Sequence, residues 1–143
     1  MSVSVHAMRI VALGVVLALV AGCGGRGEVD AGALSQQAKS LQSVAAEGAL
    51  LAQDAASGKT TRVYSGEHSA DLRGAAQQIA ASLEAATTTP ALDPKRRRLA
   101  VLATRVSSYL DRIRDASGSE DRALGSRLDA AAQLIEALDR SLA

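Results

Sequence analysis

The stretch LAVLATRVSSYLDRI (residues 99–113) decides the fold class of this 143-residue chain. Its apolar residues recur in alternating steps of three and four, which places them on one face of an α-helix. Helices that pack against one another in a bundle have this spacing. The stretch therefore predicts an amphipathic helix with a buried apolar face formed by Leu99, Leu102, Val106, Tyr109 and Ile113.

Three further segments repeat this pattern, and none shows the alternating pattern of a β-strand. Four helices of about 22 to 26 residues with short connections favour an all-α, antiparallel up-down-up-down four-helix bundle. The alternatives are a three-helix bundle with a loose first helix and a dimer of helical hairpins. The further apolar faces are predicted to contain Leu34, Ala38, Leu41, Ala45, Gly48, Leu51, Ala52 and Ala55; Leu72, Ala76, Ile79, Leu83 and Ala86; and Leu124, Leu128, Ala131, Ile135, Leu138 and Leu142.

Turn residues separate the first three segments. Ser57-Gly58-Lys59 is predicted to end the first helix, because glycine can adopt the left-handed conformation of a helix C-cap. Ser65 is a predicted N-cap for the second helix. Thr87-Thr88-Thr89-Pro90 is predicted to break that helix, since the proline ring cannot continue it.

Capping residues also mark the starts of the last two helices. Asp93 is predicted to cap the third helix, with Pro94 in its first turn. Ser117 and Glu120 have the spacing of a capping box, which predicts the start of the fourth helix close to these residues.

The amino-terminal region has a basic start with His6 and Arg9, an apolar run from Ile10 to Ala21, and then a cysteine. Such a run is too short to cross a bilayer as a helix, which takes about 20 apolar residues. The sequence Val20-Ala21-Gly22-Cys23 that closes it resembles the lipobox of bacterial lipoproteins. The resemblance implies cleavage between Gly22 and Cys23 and acylation of Cys23 as the first residue of the mature protein.

This resemblance sets the expected domain organisation and location. Residues 1–22 are expected to form a lipoprotein signal peptide, residues 23–32 the lipidated Cys23 with a glycine-rich tether, and residues 33–143 the helical bundle domain. Two or three acyl chains on Cys23 would anchor the protein stably, whereas one chain would not. The expected location is the bacterial cell envelope, at a membrane, facing the periplasm or the extracytoplasmic side.

Composition argues against nucleic-acid binding and against an internal disulfide. Removal of residues 1–22 takes away Arg9 and leaves 15 basic and 15 acidic residues, so the mature chain is formally neutral. Nucleic-acid binding requires a broad basic face, and we therefore expect no nucleic-acid partner. The chain has no Trp or Phe and a single cysteine, so stability must come from helix packing without a disulfide.

The up-down topology predicts which parts of the bundle would lie near the membrane. The connection at residues 87–94 and the C-terminus are expected at the same end as the tether, and the other two connections at the far end. Four cations, Lys95, Arg96, Arg97 and Arg98, would then lie at the membrane side. They are candidates for contact with anionic headgroups. The alternative is a solvated charge run that is partly paired with Asp93.

The segment from Gly58 to His68 combines polar and aromatic groups that are otherwise scarce in this chain. Tyr64 and His68 are four residues apart and would share a helix face. Arg62, Tyr64 and His68 are candidates for contact with a protein partner, because tyrosine and arginine favour interfaces. The alternatives are a polar cap on the bundle and a small-ligand site.

No recognisable arrangement of residues indicates catalysis or a cofactor. Ser65, His68 and Asp71 lie along one predicted helix, where they would not converge on a substrate. Gly58-Lys59-Thr60 resembles the end of a P-loop, but Gln53 stands where that motif requires its first glycine. One histidine in the mature chain is too few for a zinc site, and no Glu-x-x-His pair for a di-iron site occurs. We therefore predict no enzymatic activity, no metal and no cofactor.

The sequence thus predicts a lipid-anchored protein of the cell envelope that acts as a non-enzymatic binding or scaffolding module with a protein partner. The alternative is a carrier in which the alanine-lined core opens to hold an apolar or lipid-like molecule.

Overall fold

The structure is a computed structural model that describes residues 28–143. Four α-helices make up most of this part of the chain, and no strand occurs within it. The predicted signal peptide and the predicted lipidation site, Cys23, lie outside the described residues. The helices are α1 (Ala31–Ala56), α2 (Arg62–Ala85), α3 (Asp93–Ile113) and α4 (Ser119–Arg140).

The helices form the predicted antiparallel four-helix bundle. The most extensive contacts join α1 with α4 and α2 with α3, whereas α1 with α2 and α3 with α4 meet over smaller areas. Helix α1 also touches α3 across the centre of the bundle. Because α1 is fully packed against α4, the alternative with a loose first helix does not apply.

The core contains the apolar faces that the sequence predicts. Leucine, isoleucine and valine fill the centre, and alanine lies where helices approach closely. The fully inaccessible large side chains of α1, α3 and α4 include Leu41, Leu110, Ile113, Leu128 and Ile135, and Leu83 of α2 is only 1% accessible. Five predicted members of the faces are only partly buried: Ala55, Ile79, Ala86, Tyr109 and Leu142.

The connections place three parts of the chain at one end of the bundle, which we call the near end. The amide of Val29 donates to the carbonyl of Thr87 over 2.7 Å, which joins the start of α1 to the α2–α3 connection. The Lys95 ammonium donates to the carbonyl of Ser141 near the C-terminus. The α1–α2 and α3–α4 connections lie at the opposite, far end. This arrangement agrees with the predicted topology.

Helix starts differ from the predictions in detail. Helix α1 begins at Ala31, with Asp30 accepting from the Ala33 amide, so the last two residues of the predicted tether are helical. The cap of α2 is Thr61, which accepts from the Tyr64 amide, and the predicted cap Ser65 is buried inside the helix. The hydroxyl of Thr61, four residues before the predicted cap, thus caps α2, and the helix is about one turn longer than predicted.

The predicted caps of α3 and α4 are also wrong. Leu92 precedes α3, and the carboxylate of Asp93 accepts from arginine side chains instead of backbone amides. No side chain caps α4; its N-cap is Gly118, at a φ of 53°, a conformation that glycine adopts without a steric penalty. Glu120 does not close a capping box but forms an ion pair with Arg112.

Helix α1 packs closely against α3 and α4 at two glycines, Gly48 and Gly125. A Cβ at Gly125 would lie 3.3 Å from the backbone oxygen of Ala49. A Cβ at Gly48 would lie 2.5 Å from the Cδ2 atom of Leu110, which is fully buried.

None of the helices between residues 28 and 143 combines the length and apolar character needed to cross a bilayer.

Gly48→Ala should be destabilising relative to Gly74→Ala, by about 1–3 kcal/mol in free energy of unfolding. Both changes remove a glycine from a helix interior, which by itself stabilises by about 0.5–1 kcal/mol. Only the new methyl group at position 48 meets a buried side chain, since nothing lies within 4 Å of a Cβ at Gly74. Urea denaturation of both variants measures the difference, and equal effects would contradict the close packing.

Candidate functional site

Tyr64 and His68 form an aromatic pair near the start of α2, as their four-residue spacing predicts. Their ring centroids lie 5.6 Å apart in a stacked arrangement. The Nε2 atom of His68 lies 2.8 Å from Oε1 of Glu47 on α1, so the pair is held against the neighbouring helix. Tyr64 remains 56% exposed, which leaves its ring available to solvent or to a partner.

Arg62, the third candidate residue of this segment, points away from the aromatic pair into the far end of the bundle. Its guanidinium donates to Oδ2 of Asp121 over 3.1 Å and to the carbonyl of Ile113 over 3.2 Å. These partners lie at the start of α4 and the end of α3. One side chain from the start of α2 therefore connects three helix ends.

Asp121 is fully buried, and burial of an unpaired carboxylate is strongly unfavourable. Two features stabilise its charge. Arg62 supplies the ion pair, and Asp121 lies in the first turn of α4, where the positive end of the helix dipole favours an acidic residue. Arg62 thus has a structural partner within the chain, and its side chain is still 44% exposed.

The basic run at the start of α3 is divided among internal partners. The guanidinium of Arg96 is nearly buried; it donates to Oδ1 of Asp93 over 2.8 Å and to the carbonyl of Leu83 over 2.6 Å. Arg97 pairs with the other oxygen of Asp93, and Lys95 donates to the Ser141 carbonyl. For Arg98 the structure gives no ion pair or side-chain hydrogen bond within residues 28–143.

The charges around Asp93 favour its ionised form. Hydrogen bonding from Arg96 lowers the pKa of the Asp93 carboxyl below its ordinary value. Partial desolvation opposes this effect, and the charge of Arg97 lowers the pKa further. The expected partial pairing of the basic run with Asp93 is therefore observed; Arg97 is paired but still exposed, and Arg98 is exposed without a partner among residues 28–143.

The groups that could suggest catalysis do not assemble. Ser65 is buried, and its hydroxyl donates to the Arg62 carbonyl over 3.1 Å. His68 faces Glu47, and Asp71 is exposed one turn further along α2. In the described part of the chain, no group of three or more His, Cys, Asp or Glu side chains lies close enough together to bind a metal ion.

Sequence reasoning missed the partners that belong to other helices. Glu47 and His68 are 21 residues apart, and Arg62 and Asp121 are 59 apart. The sequence contains one usable signal for the second pair, since Asp121 continues the apolar face of Leu124 and Leu128 toward the start of α4. A charged residue on a buried face requires a partner of opposite charge.

Comparison with protein-family models, with curated proteins and with solved structures found no match for this chain.

Arg62→Met should lower the free energy of unfolding by about 3 kcal/mol, because it leaves the buried Asp121 carboxylate without its counterion. Arg122→Met is the matched control: Arg122 is an exposed arginine for which no ion pair is seen among residues 28–143, and its replacement should change stability by less than about 0.5 kcal/mol.

The double variant Arg62→Met/Asp121→Leu should recover most of this loss, since neither charge is then buried alone. Urea denaturation of Arg62→Met, Asp121→Leu and the double variant completes the double-mutant cycle for this ion pair. A loss for Arg62→Met no larger than that of Arg122→Met would show that the ion pair does not stabilise the far end.

Proposed function

We propose that this protein is a lipid-anchored component of the bacterial cell envelope that acts as a non-enzymatic binding or scaffolding module. The resemblance of Val20-Ala21-Gly22-Cys23 to a lipobox is the observation on which the anchor depends. Acylation of Cys23 would fix the start of the mature chain at a membrane, facing the periplasm or the extracytoplasmic side.

The bundle geometry is compatible with such an anchor. The five Cα–Cα steps from Cys23 to Glu28 span at most about 18 Å. Val29 is bonded to the α2–α3 connection at the near end of the bundle. With Cys23 in a bilayer, the tether would hold the near end within reach of the lipid, and Tyr64 lies at the opposite end of the bundle.

The exposed aromatic pair is the proposed contact for a protein partner. Tyrosine provides a large, rigid contact area with a polar group, and such residues dominate binding energy at interfaces. The pair is already ordered by stacking and by the contact of His68 with Glu47. Ordering of a contact before association reduces the entropy cost of binding.

The alternative, a carrier of an apolar molecule, would require the bundle to open. The core side chains on all four helices pack against one another, and the grooves seen on the described residues face solvent. We therefore favour the binding module over the carrier.

Cys23→Ala should abolish incorporation of radiolabelled palmitate and move the protein out of the membrane fraction. Cys23 is the only cysteine in the chain, so no other thiol can accept the lipid. Gly25→Ala, two residues further on, is the control and should keep both the label and the membrane association. Labelling of the alanine variant at the level of the unmodified chain would refute the anchor.

A photoreactive residue in place of Tyr64 should yield a discrete cross-linked adduct with a second polypeptide in intact cells. The same residue in place of Ala81, an exposed position nearer the other end of α2, is the control and should not yield that adduct. Mass spectrometry identifies the species. Absence of any adduct from position 64, or identical adducts from both positions, would contradict a partner at the far end.

A further inference from the structure

Helices α3 and α4 present a surface that combines cationic and apolar side chains, and Glu84 of α2 borders this surface beside Val101 and Arg105. We call it the α3–α4 face and define it by Arg98, Val101 and Arg105 on α3 and Arg127 and Leu134 on α4. Arg105, Arg127 and Leu134 line a shared cleft between the two helices, with Leu102 and Ala131 among its other residues. No carboxylate lines this cleft.

The three arginines of this face have no carboxylate partner within residues 28–143. Arg98 and Arg105 are seven residues apart and therefore lie on the same side of α3. The guanidinium carbon of Arg127 lies 6.0 Å from the centroid of the Tyr109 ring, a contact that leaves its positive charge uncompensated. The arginines that do pair with a carboxylate are Arg62, Arg73, Arg96, Arg97 and Arg112.

Two apolar residues of the face are exposed to solvent. Val101 is 57% and Leu134 is 45% accessible, although both are large aliphatic side chains on packed helices. Exposed aliphatic residues next to arginines form the arrangement by which a helix surface enters the boundary between headgroups and acyl chains. Arginine can place its aliphatic stem along that boundary and its charge among the phosphates.

The cleft at the centre of the face is too small to seat a partner helix. The cleft between α3 and α4 encloses only about 120 Å³, and the Arg127 side chain partly covers it above Tyr109. A second copy of the same face is also unfavourable, because a twofold contact would oppose the arginines of one copy to those of the other. The occupant must therefore be anionic, extended and able to accept aliphatic side chains.

We propose that the α3–α4 face rests on the surface of an anionic lipid bilayer, with Arg98, Arg105 and Arg127 at the headgroup phosphates and Val101 and Leu134 at the acyl boundary. Of the basic run at residues 95–98, Arg98 is thereby the member that contacts headgroups. Arg105 and Arg127 continue this contact along the bundle. The orientation rests on the lipid anchor of the proposed function.

The length of the chain before α1 permits this orientation. With α3 and α4 on the lipid, α1 and α2 form a second layer about 8–10 Å above them. The start of α1 then lies about 15 Å above the surface, once the radius of the lower helices is added. The stretch from Cys23 to Glu28 can span about 18 Å, so acylated Cys23 still reaches the bilayer.

The test measures binding of the unlipidated full-length chain, made with Cys23→Ser, to vesicles by sedimentation. Two compositions are compared: phosphatidylcholine alone, and phosphatidylcholine with about one-third phosphatidylglycerol. The readout is the ratio of the two partition coefficients, because any charge-independent contribution of the apolar amino-terminal run cancels in it. This design separates the face from the anchor, which palmitate labelling tests independently.

The variant Arg98→Gln/Arg105→Gln/Arg127→Gln should lower this ratio by about 100-fold, since each arginine near an anionic surface favours binding about fivefold. The matched control is Arg114→Gln/Arg122→Gln/Arg140→Gln. It removes the same number of charges from exposed arginines outside the face and should change the ratio by less than about threefold. Circular dichroism establishes that both variants keep the helical content of the parent chain.

The dependence on salt provides a second expected result. At about 1 M salt the Debye length is about 3 Å, and the ratio of the two partition coefficients should then be close to one. The proposal is overturned if the parent chain binds both vesicles equally, or if both triple variants lower the ratio to the same extent. If the parent chain binds neither vesicle, the proposal is also overturned. The occupant of the α3–α4 face would then be an acidic surface of a protein partner.

Discussion

The bundle depends on how closely its helices can approach. The chain has no Trp or Phe and one cysteine, so neither of these large aromatic side chains nor an internal disulfide can stabilise the domain. Apolar burial contributes about 25 cal/mol per Å², and alanine buries little area. The compensation is dense packing of α1 against α3 and α4, where Gly48 lies against Leu110 and Gly125 lies against the backbone of Ala49. Such packing tolerates little added volume.

Charge has two separate roles in this structure. At the far end, Arg62 and the buried Asp121 connect the ends of three helices, and at the near end Arg96 and Asp93 join α3 to the end of α2. These charges stabilise the fold. The proposed functional surfaces lie where such pairing is absent, at Tyr64 on the far end and along the α3–α4 face. Exposed groups without an internal partner are the ones that another molecule can bind.

Prediction from sequence was most successful where the physics is local and periodic. The step of three and four residues gave the helices and most of the core, because an apolar face of that spacing can be buried only by packing on other helices. Prediction failed at the caps. Thr61, not Ser65, caps α2, since several hydroxyls lie near each boundary and only the folded backbone selects one.

The amino-acid order alone determined the fold class, the antiparallel topology that short connections require, and the resemblance of the segment ending at Cys23 to a lipobox. The tertiary structure alone decided which polar groups remain free. Arg62 and Tyr64 are two residues apart, yet one is engaged with Asp121 and the other is exposed. The physical reason is that a charge is satisfied by whatever lies within a few ångströms, and distant segments become neighbours only after the helices have packed.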